Sequence, residues 1–281
     1  MSEIPLTFAN AHGQTLVGIY HQTAQPKARG SLLFLHGWSG YRTGPHQMLT
    51  RAARTFGARG FDSLRFDFAG RGDSQGDTEL ATLATMRDDT FDALEQLRGH
   101  GNGGPIIAVG LCSGCEIAVA AANDDWSGIA LWSAPIFAAL PDQSGQEKKR
   151  AANLGKYARK LLNPQTYLKI ARGEVDTAAV GKAMKGGGGA ANKNVESREP
   201  GQLPPGFRRQ SLANWKNYGG PILQIYGDAD PIATEARDWY SAHCAAPPEV
   251  KMVEGANHSF YGLEWERQVF EFTEDWLNQK F

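Results

Sequence analysis

The sequence predicts an α/β fold with a mostly parallel central sheet, helices on both faces and an inserted helical cap. Three observations carry this. Short, continuously apolar runs at residues 31–35 (SLLFL), 105–109 and 128–132 read as strands covered on both faces. They alternate with longer stretches of helical spacing, which implies crossover connections and parallel pairing. One stretch, residues 137–215, breaks that alternation with helical segments, a run of four glycines and a Pro-rich stretch, and shows no buried-strand pattern.

Taken in order, residues 4–8 and 15–20 read as two strands about a turn at His12-Gly13. The 31–35 strand is followed by a helix at 46–58 and a strand at 61–66. Residues 78–98 carry Leu80, Leu83, Met86, Phe91, Leu94 and Leu97 among charges, the spacing of an amphipathic helix. A strand at 105–109, an Ala-rich helix at 116–122 and a strand at 128–132 come next. After the insertion the pattern resumes with a strand at 222–226, a helix at 234–243, a strand at 250–253 and a final amphipathic helix at 264–277. The core is therefore expected over residues 1–136 and 216–281, with the cap over 137–215. Within the cap, 147–162 and 164–172 read as helical and 186–189 (GGGG) as a flexible element. The tetraglycine is no phosphate-binding loop, because no Gly-Lys-Ser/Thr closes it and no strand precedes it.

A chain of 281 residues with 41% hydrophobic composition can bury a large core. Its formal charge of -1 gives no reason to expect nucleic acid as a partner. No apolar run reaches membrane-spanning length, and MSEIPLTFANAHGQ lacks the basic start and apolar stretch of a signal peptide, so no stable membrane insertion is expected. Three cysteines are too few for a disulfide framework, which points to a reducing, cytoplasmic setting. Charge is uneven. Residues 141–216 hold 15 Lys and Arg against 6 Asp and Glu, a net of +9, and the remainder holds 14 against 24, a net of -10. This segment is either a solvated helical surface or an attraction for anionic substrates. No metal or cofactor is expected. There is no H-x-x-x-H, His243 and Cys244 lack further ligands at zinc spacing, and no G-x-G-x-x-G follows the first strands.

The most informative segment is IIAVGLCSGCEIAVAAA. A buried strand ends at Gly110 and a helix begins after Gly114, with G-L-C-S-G between them. This is the nucleophile-elbow spacing G-x-Nuc-x-G, with Cys112 at the centre. A sharp strand-to-helix turn strains its central residue and needs small neighbours, and it sets the sulfur near a helix N-terminus, which favours the thiolate. Ser113 is the rival nucleophile, but its frame would need glycines at Leu111 and Cys115. Cys112 and Cys115 also form C-x-x-C, a dithiol redox pattern. Cys115 alternatively packs within the first helical turn.

Two downstream loops supply partners. After the strand ILQIY comes G-D-A-D-P, where Asp230, directly before Pro231, is the candidate acid and Asp228 the alternative. A helix N-cap is the other reading of Asp230. After the next strand comes E-G-A-N-H-S-F. Of the seven histidines, only His258 combines a strand-end loop, small neighbours and the chain order nucleophile, acid, histidine. In that arrangement Asp230 orients the imidazole and His258 takes the thiol proton, or a thiolate–imidazolium pair already exists at rest.

Taken together, HGWSG, DFAGRGDS, GLCSG, GDADP and GANHSF resemble the α/β-hydrolase superfamily across nearly all of the core. The resemblance implies the α/β-hydrolase fold and an oxyanion hole built from the backbone N–H groups of Trp38 and Ser113. His36 is then structural, and Arg71 and Asp73 form an ion-pair network around the active-site loops. A narrower likeness, through YRTGPHQMLTRAA, GFDSLRFDFAGRGDSQGD, VGLCSGCE and YLKIARGEVD, is to the exosortase-A-system-associated hydrolases of bacteria. That group also carries a Gly-Leu-Cys elbow and is linked by context to exopolysaccharide export. The cysteine elbow is similar, too, to dienelactone hydrolases, whose cap differs, and to polyhydroxyalkanoate synthases, which are longer.

The expected partner is a small-molecule acyl substrate, and the expected reaction is hydrolysis of an ester, lactone or thioester through Cys112, His258 and Asp230. Acyl transfer through the same intermediate, a dithiol redox protein and a non-catalytic binding scaffold stay open as alternatives.

Overall fold

The computed structural model describes residues 1–101, 103–137 and 203–281. Eight strands form one sheet: β1 (Ser2–Ala9), β2 (Thr15–Gln22), β3 (Gly30–Leu35), β4 (Phe61–Asp67), β5 (Ile106–Leu111), β6 (Gly128–Trp132), β7 (Ile222–Gly227) and β8 (Glu249–Val253). Their order is β1-β2-β4-β3-β5-β6-β7-β8. The first hairpin pairs antiparallel and joins β4 antiparallel, and from β4 through β3 to β8 every pair is parallel. The described helices are α1 (Met48–Ala58), α2 (Leu83–His100), α3 (Gly114–Ala120), α4 (Phe207–Asn217), α5 (Ala233–His243) and α6 (Leu263–Lys280).

The apolar runs bury both faces of the sheet. In β3, Leu32 and Phe34 join a cluster with Met48, Leu49 and Phe56 of α1 and Val269, Phe270 and Trp276 of α6. Their neighbours Leu33 and Leu35 point the other way, into a cluster with Leu94 and Leu97 of α2, Ile117 of α3, Trp215 of α4 and Tyr240 of α5. All are buried. Each such side chain contributes about 1.5–3 kcal/mol on burial, which is why strand position and face are so strongly fixed. Two of the indole N–H groups entering this core are paired: Trp132 Nε1 donates to Thr273 Oγ1 at 3.1 Å, and Trp215 Nε1 donates to the Tyr240 carbonyl at 3.1 Å.

Two expected helices begin later than their apolar spacing suggests. The 78–98 helix starts at Leu83, because Thr82 closes a capping box with Thr85 and Thr78 Oγ1 bonds the Gly70 carbonyl instead. Leu80 lies outside the helix and is exposed. The 46–58 helix starts at Met48, preceded by a 3-10 turn at Pro45–Gln47 in which His46 and Gln47 have positive φ. The expected helices 147–162 and 164–172, the 186–189 element and most of the expected cap lie outside the described residues. Of that segment, α4 packs on the core, with Asn214 Nδ2 donating to the Ala120 carbonyl at 2.8 Å. No described helix is long and apolar enough to cross a membrane.

The parallel strands β3, β5, β7 and β8 all end at one sheet edge, and the loops leaving those ends carry the candidate residues. This is the edge where sheets of this kind place ligands.

Candidate active site

Cys112 sits on the turn between β5 and α3 with φ 55°, a left-handed conformation that a non-glycine residue adopts only when its surroundings impose it. Gly110 and Gly114 make that turn possible. A Cβ on Gly110 would come within 2.6 Å of the Gly114 carbonyl oxygen, and one on Gly114 would collide with the Leu35 carbonyl. The Cys112 N–H is tied to the Trp132 carbonyl at 3.0 Å. These contacts lift the side chain off the sheet and leave it partly exposed.

The other predicted residues converge there. His258 Nε2 lies 3.2 Å from Cys112 Sγ, and its Nδ1 lies 2.5 Å from Asp230 Oδ2. Asp230 is 5% exposed, so little water competes for its carboxylate. Its second oxygen accepts from the Ile232 N–H at 3.3 Å, so the side chain also anchors the start of α5. Asp228 does not reach the histidine. Its carboxylate accepts the Gly255 N–H at 2.6 Å and ties the β7 and β8 loops together.

A cleft of about 300 Å³ opens over the sulfur, lined among the described residues by Trp38, Tyr41, Pro45, His46, Leu111 and Ser259. The Trp38 N–H, expected as an oxyanion donor, already donates to Ser113 Oγ at 2.8 Å. The Trp38 carbonyl accepts from Arg71 Nε at 2.7 Å, and the Arg71 guanidinium lies 4.9 Å from the Trp38 ring centroid. This corrects the expected network. Arg71 spends its donors on the carbonyls of Trp38, Gly70 and Thr78, and no described carboxylate pairs with it. Arg42, two residues beyond Gly40, is the residue that pairs with both Asp67 and Asp73. His36 is buried against Phe68, with Nδ1 at 2.8 Å from the Gly37 carbonyl, and holds the same loop from below.

A family model described as "Alpha/beta hydrolase family" matches residues 32–271, which span every one of these loops. The chain belongs to the alpha/beta hydrolase family. Among solved structures it is similar to the esterase domain of a Rhodothermus marinus protein, at 17% identity and a TM-score of 0.65, with 99% of each chain covered. It is similar also to the dienelactone hydrolase from Anabaena variabilis, at 12% identity and a TM-score of 0.64, covering 99% of this chain and 97% of that one. The monoacylglycerol lipase of Paleococcus ferrophilus aligns at 18% identity and a TM-score of 0.62, covering 95% of this chain and 99% of that one. At such identities the likeness shows the shared fold. No curated protein matches the sequence.

In this alpha/beta hydrolase the electrostatics of the site are coupled. Burial alone pushes the Cys112 thiol up, but the hydrogen bond and charge of His258, with the Ser113 N–H and hydroxyl, outweigh it and hold the thiol below its usual value. Burial likewise disfavours the His258 cation, and hydrogen bonds to Asp230 and Cys112 reverse that and raise it to about 9. Both directions favour a thiolate–imidazolium pair. Cys115 behaves differently. It is fully buried, its Sγ donates to the Gly110 carbonyl at 3.2 Å, and burial pushes its thiol well up.

His46 carried no sequence signal, yet it lines the cleft. Its Nε2 donates to the Ser259 carbonyl at 2.9 Å, next to His258, while Nδ1 accepts from Arg51 at 3.2 Å. Arg51 in turn is held by the buried Glu266 of α6. The one hint in the sequence is Gly44-Pro45, a helix-breaking pair just where the helix was expected to begin.

Proposed function

We propose that this alpha/beta hydrolase cleaves an ester, lactone or thioester through Cys112, His258 and Asp230, by way of a covalent S-acyl intermediate. The observation that carries this reading is one imidazole bridging a thiol at 3.2 Å and a buried carboxylate at 2.5 Å. The fold neighbours, an esterase domain, a dienelactone hydrolase and a monoacylglycerol lipase, agree with it. Within the family, the Gly-Leu-Cys elbow favours kinship with the exosortase-A-system-associated group.

The chemistry follows from the geometry. The thiolate attacks the substrate carbonyl carbon. A C–S bond forms and the carbonyl electron pair moves onto oxygen, where the backbone N–H groups of Trp38 and Ser113 stabilise it. Collapse expels the leaving group, which takes the proton from His258 Nε2. The acylated sulfur now bears no charge, so the force that raised the imidazole pKa is reduced and neutral His258 serves as base toward water. Water adds to the thioester carbon, the C–S bond breaks, the acid departs and the water's proton stays on His258, restoring the ion pair. Resolution by an alcohol or amine instead would make the same intermediate an acyltransferase's. A dithiol route is disfavoured because Cys115 is sealed in the core.

The test is intact-mass spectrometry after brief incubation with p-nitrophenyl acetate. An acetyl adduct localised to Cys112 is expected, absent in Cys112→Ala. An adduct on Ser113, or none on the folded wild type, overturns the reading.

A further inference from the structure

Ser113 occupies the N-cap of α3, where serine ordinarily accepts a hydrogen bond from the helix's own first-turn N–H groups. Here it makes no such bond. Its hydroxyl oxygen instead accepts the Trp38 N–H at 2.8 Å and lies 3.9 Å from Cys112 Sγ. That oxygen therefore stands where a tetrahedral oxyanion must stand: an oxyanion donor acts at about 2.7–3.1 Å from the developing charge, and one backbone N–H cannot serve two oxygens well at once. We infer that the Ser113 side chain is a resident stand-in for the substrate oxygen, closing the oxyanion hole at rest and swinging out by rotation about its Cα–Cβ bond when a carbonyl enters.

This rests on the Cys112 reading above and assigns Ser113 a second role, separate from its backbone N–H. The hydroxyl is a positioning residue acting through Trp38. At rest it fixes the Trp38 loop, which Arg71 holds from the opposite side through the Trp38 carbonyl. It also offers a hydrogen to the thiolate. A substrate must displace it, so acylation carries the cost of exchanging one hydrogen bond. Substrates with a strongly polarised carbonyl make that exchange most readily, which would bias the enzyme toward activated esters and thioesters.

The experiment compares wild type, Ser113→Ala and Ser113→Thr. The first readout is the single-turnover burst of p-nitrophenolate from p-nitrophenyl acetate, measured above the Cys112 titration so that this sulfur is ionised in all three proteins. The second is inhibition by a short-chain trifluoromethyl ketone, whose adduct with the sulfur places an oxyanion in the hole. Ser113→Ala is expected to acylate about three- to tenfold faster and to bind the ketone more tightly by a similar factor, the worth of one net hydrogen bond. Ser113→Thr, which keeps the hydroxyl, is expected to return both toward wild type. A role confined to helix or loop stability would move neither in that direction. The inference is overturned if the alanine variant, folded by circular dichroism, acylates at the wild-type rate or slower. If wild type forms no adduct at Cys112 at all, the nucleophile assignment itself has failed, and the two failures are told apart by the mass spectrum.

Discussion

Burial and hydrogen bonding act on Cys112 in opposite directions. Desolvation opposes its ionisation, and His258 overcomes that only because Asp230 holds the imidazole in place and favours its cation. The two aspartates of the β7 loop thus have separable consequences although only one residue lies between them. In Asp230→Asn the imidazole loses its buried carboxylate, so its pKa should fall, the Cys112 thiol should titrate at higher pH, and kcat/KM should drop on the order of 10²-fold or more. Asp228→Asn touches only the Gly255 N–H and should leave the titration where it is. Iodoacetamide alkylation of Cys112 from pH 5 to 10 follows the thiolate directly. An Asp228 variant that shifts this profile as far as the Asp230 variant would refute the division of roles.

Among the elements, α2 makes a sharp test of where a helix begins. Its apolar spacing extends upstream through Leu80, but Thr82 Oγ1 accepts the Thr85 N–H at 3.1 Å and Thr85 Oγ1 accepts the Thr82 N–H at 2.9 Å. Thr82→Ala removes the cap and leaves a first-turn donor unpaired, a loss of about 1 kcal/mol expected in urea unfolding with no change in the slope of the transition. No loss would mean that tertiary packing alone sets this boundary. The same example shows what was legible in the sequence. Periodicity gave the strands and the order of the helices, since burial on two faces leaves a pattern in every residue of β3 or β5. The elbow was legible because a turn this tight admits only glycine at positions 110 and 114. Helix starts were not, because a cap depends on one side chain and is silent in hydrophobic spacing. The charges of Arg71 and Asp73 on one loop suggest an ion-pair network. The actual partners of Arg71 are carbonyls, Trp38 among them, brought near by the fold. His46 is silent in the sequence for the same reason, since its partners Arg51 and Ser259 come together only in three dimensions.

Across the whole molecule, the two groups of the site act on the pH dependence of stability in opposite senses. His258, raised to about 9, holds a proton in the folded state that the unfolded chain releases on passing its ordinary value of about 6.5. Cys112, lowered, has released one that the unfolded chain still holds. The two differences oppose each other on the alkaline side. On the acid side two buried histidines add a dependence of their own. Burial lowers both His36 and His21 to about 4. His21 is further disfavoured as a cation by Arg65 of β4, with Glu3 of β1 pulling the other way and Arg54 of α1 adding a smaller push. Its Nε2 accepts a hydrogen bond from Arg65 Nε at 2.8 Å, an interaction that a neutral ring alone can make. Between about pH 6.5 and 4 the unfolded chain therefore binds protons at these two sites that the folded one refuses, so their contribution to stability is complete above 6.5 and is lost as pH falls toward 4, by up to about 1.4 kcal/mol per pH unit for each histidine. His21→Gln keeps an acceptor for Arg65 and removes the titration. Urea unfolding at half-unit steps from pH 7.5 to 4.5 should then give a shallower acid limb, by close to one proton, with activity at neutral pH retained. An acid limb as steep as that of the wild type would mean that His21 is not kept neutral in the fold, and that the β1–β2–β4 side of the sheet tolerates its charge.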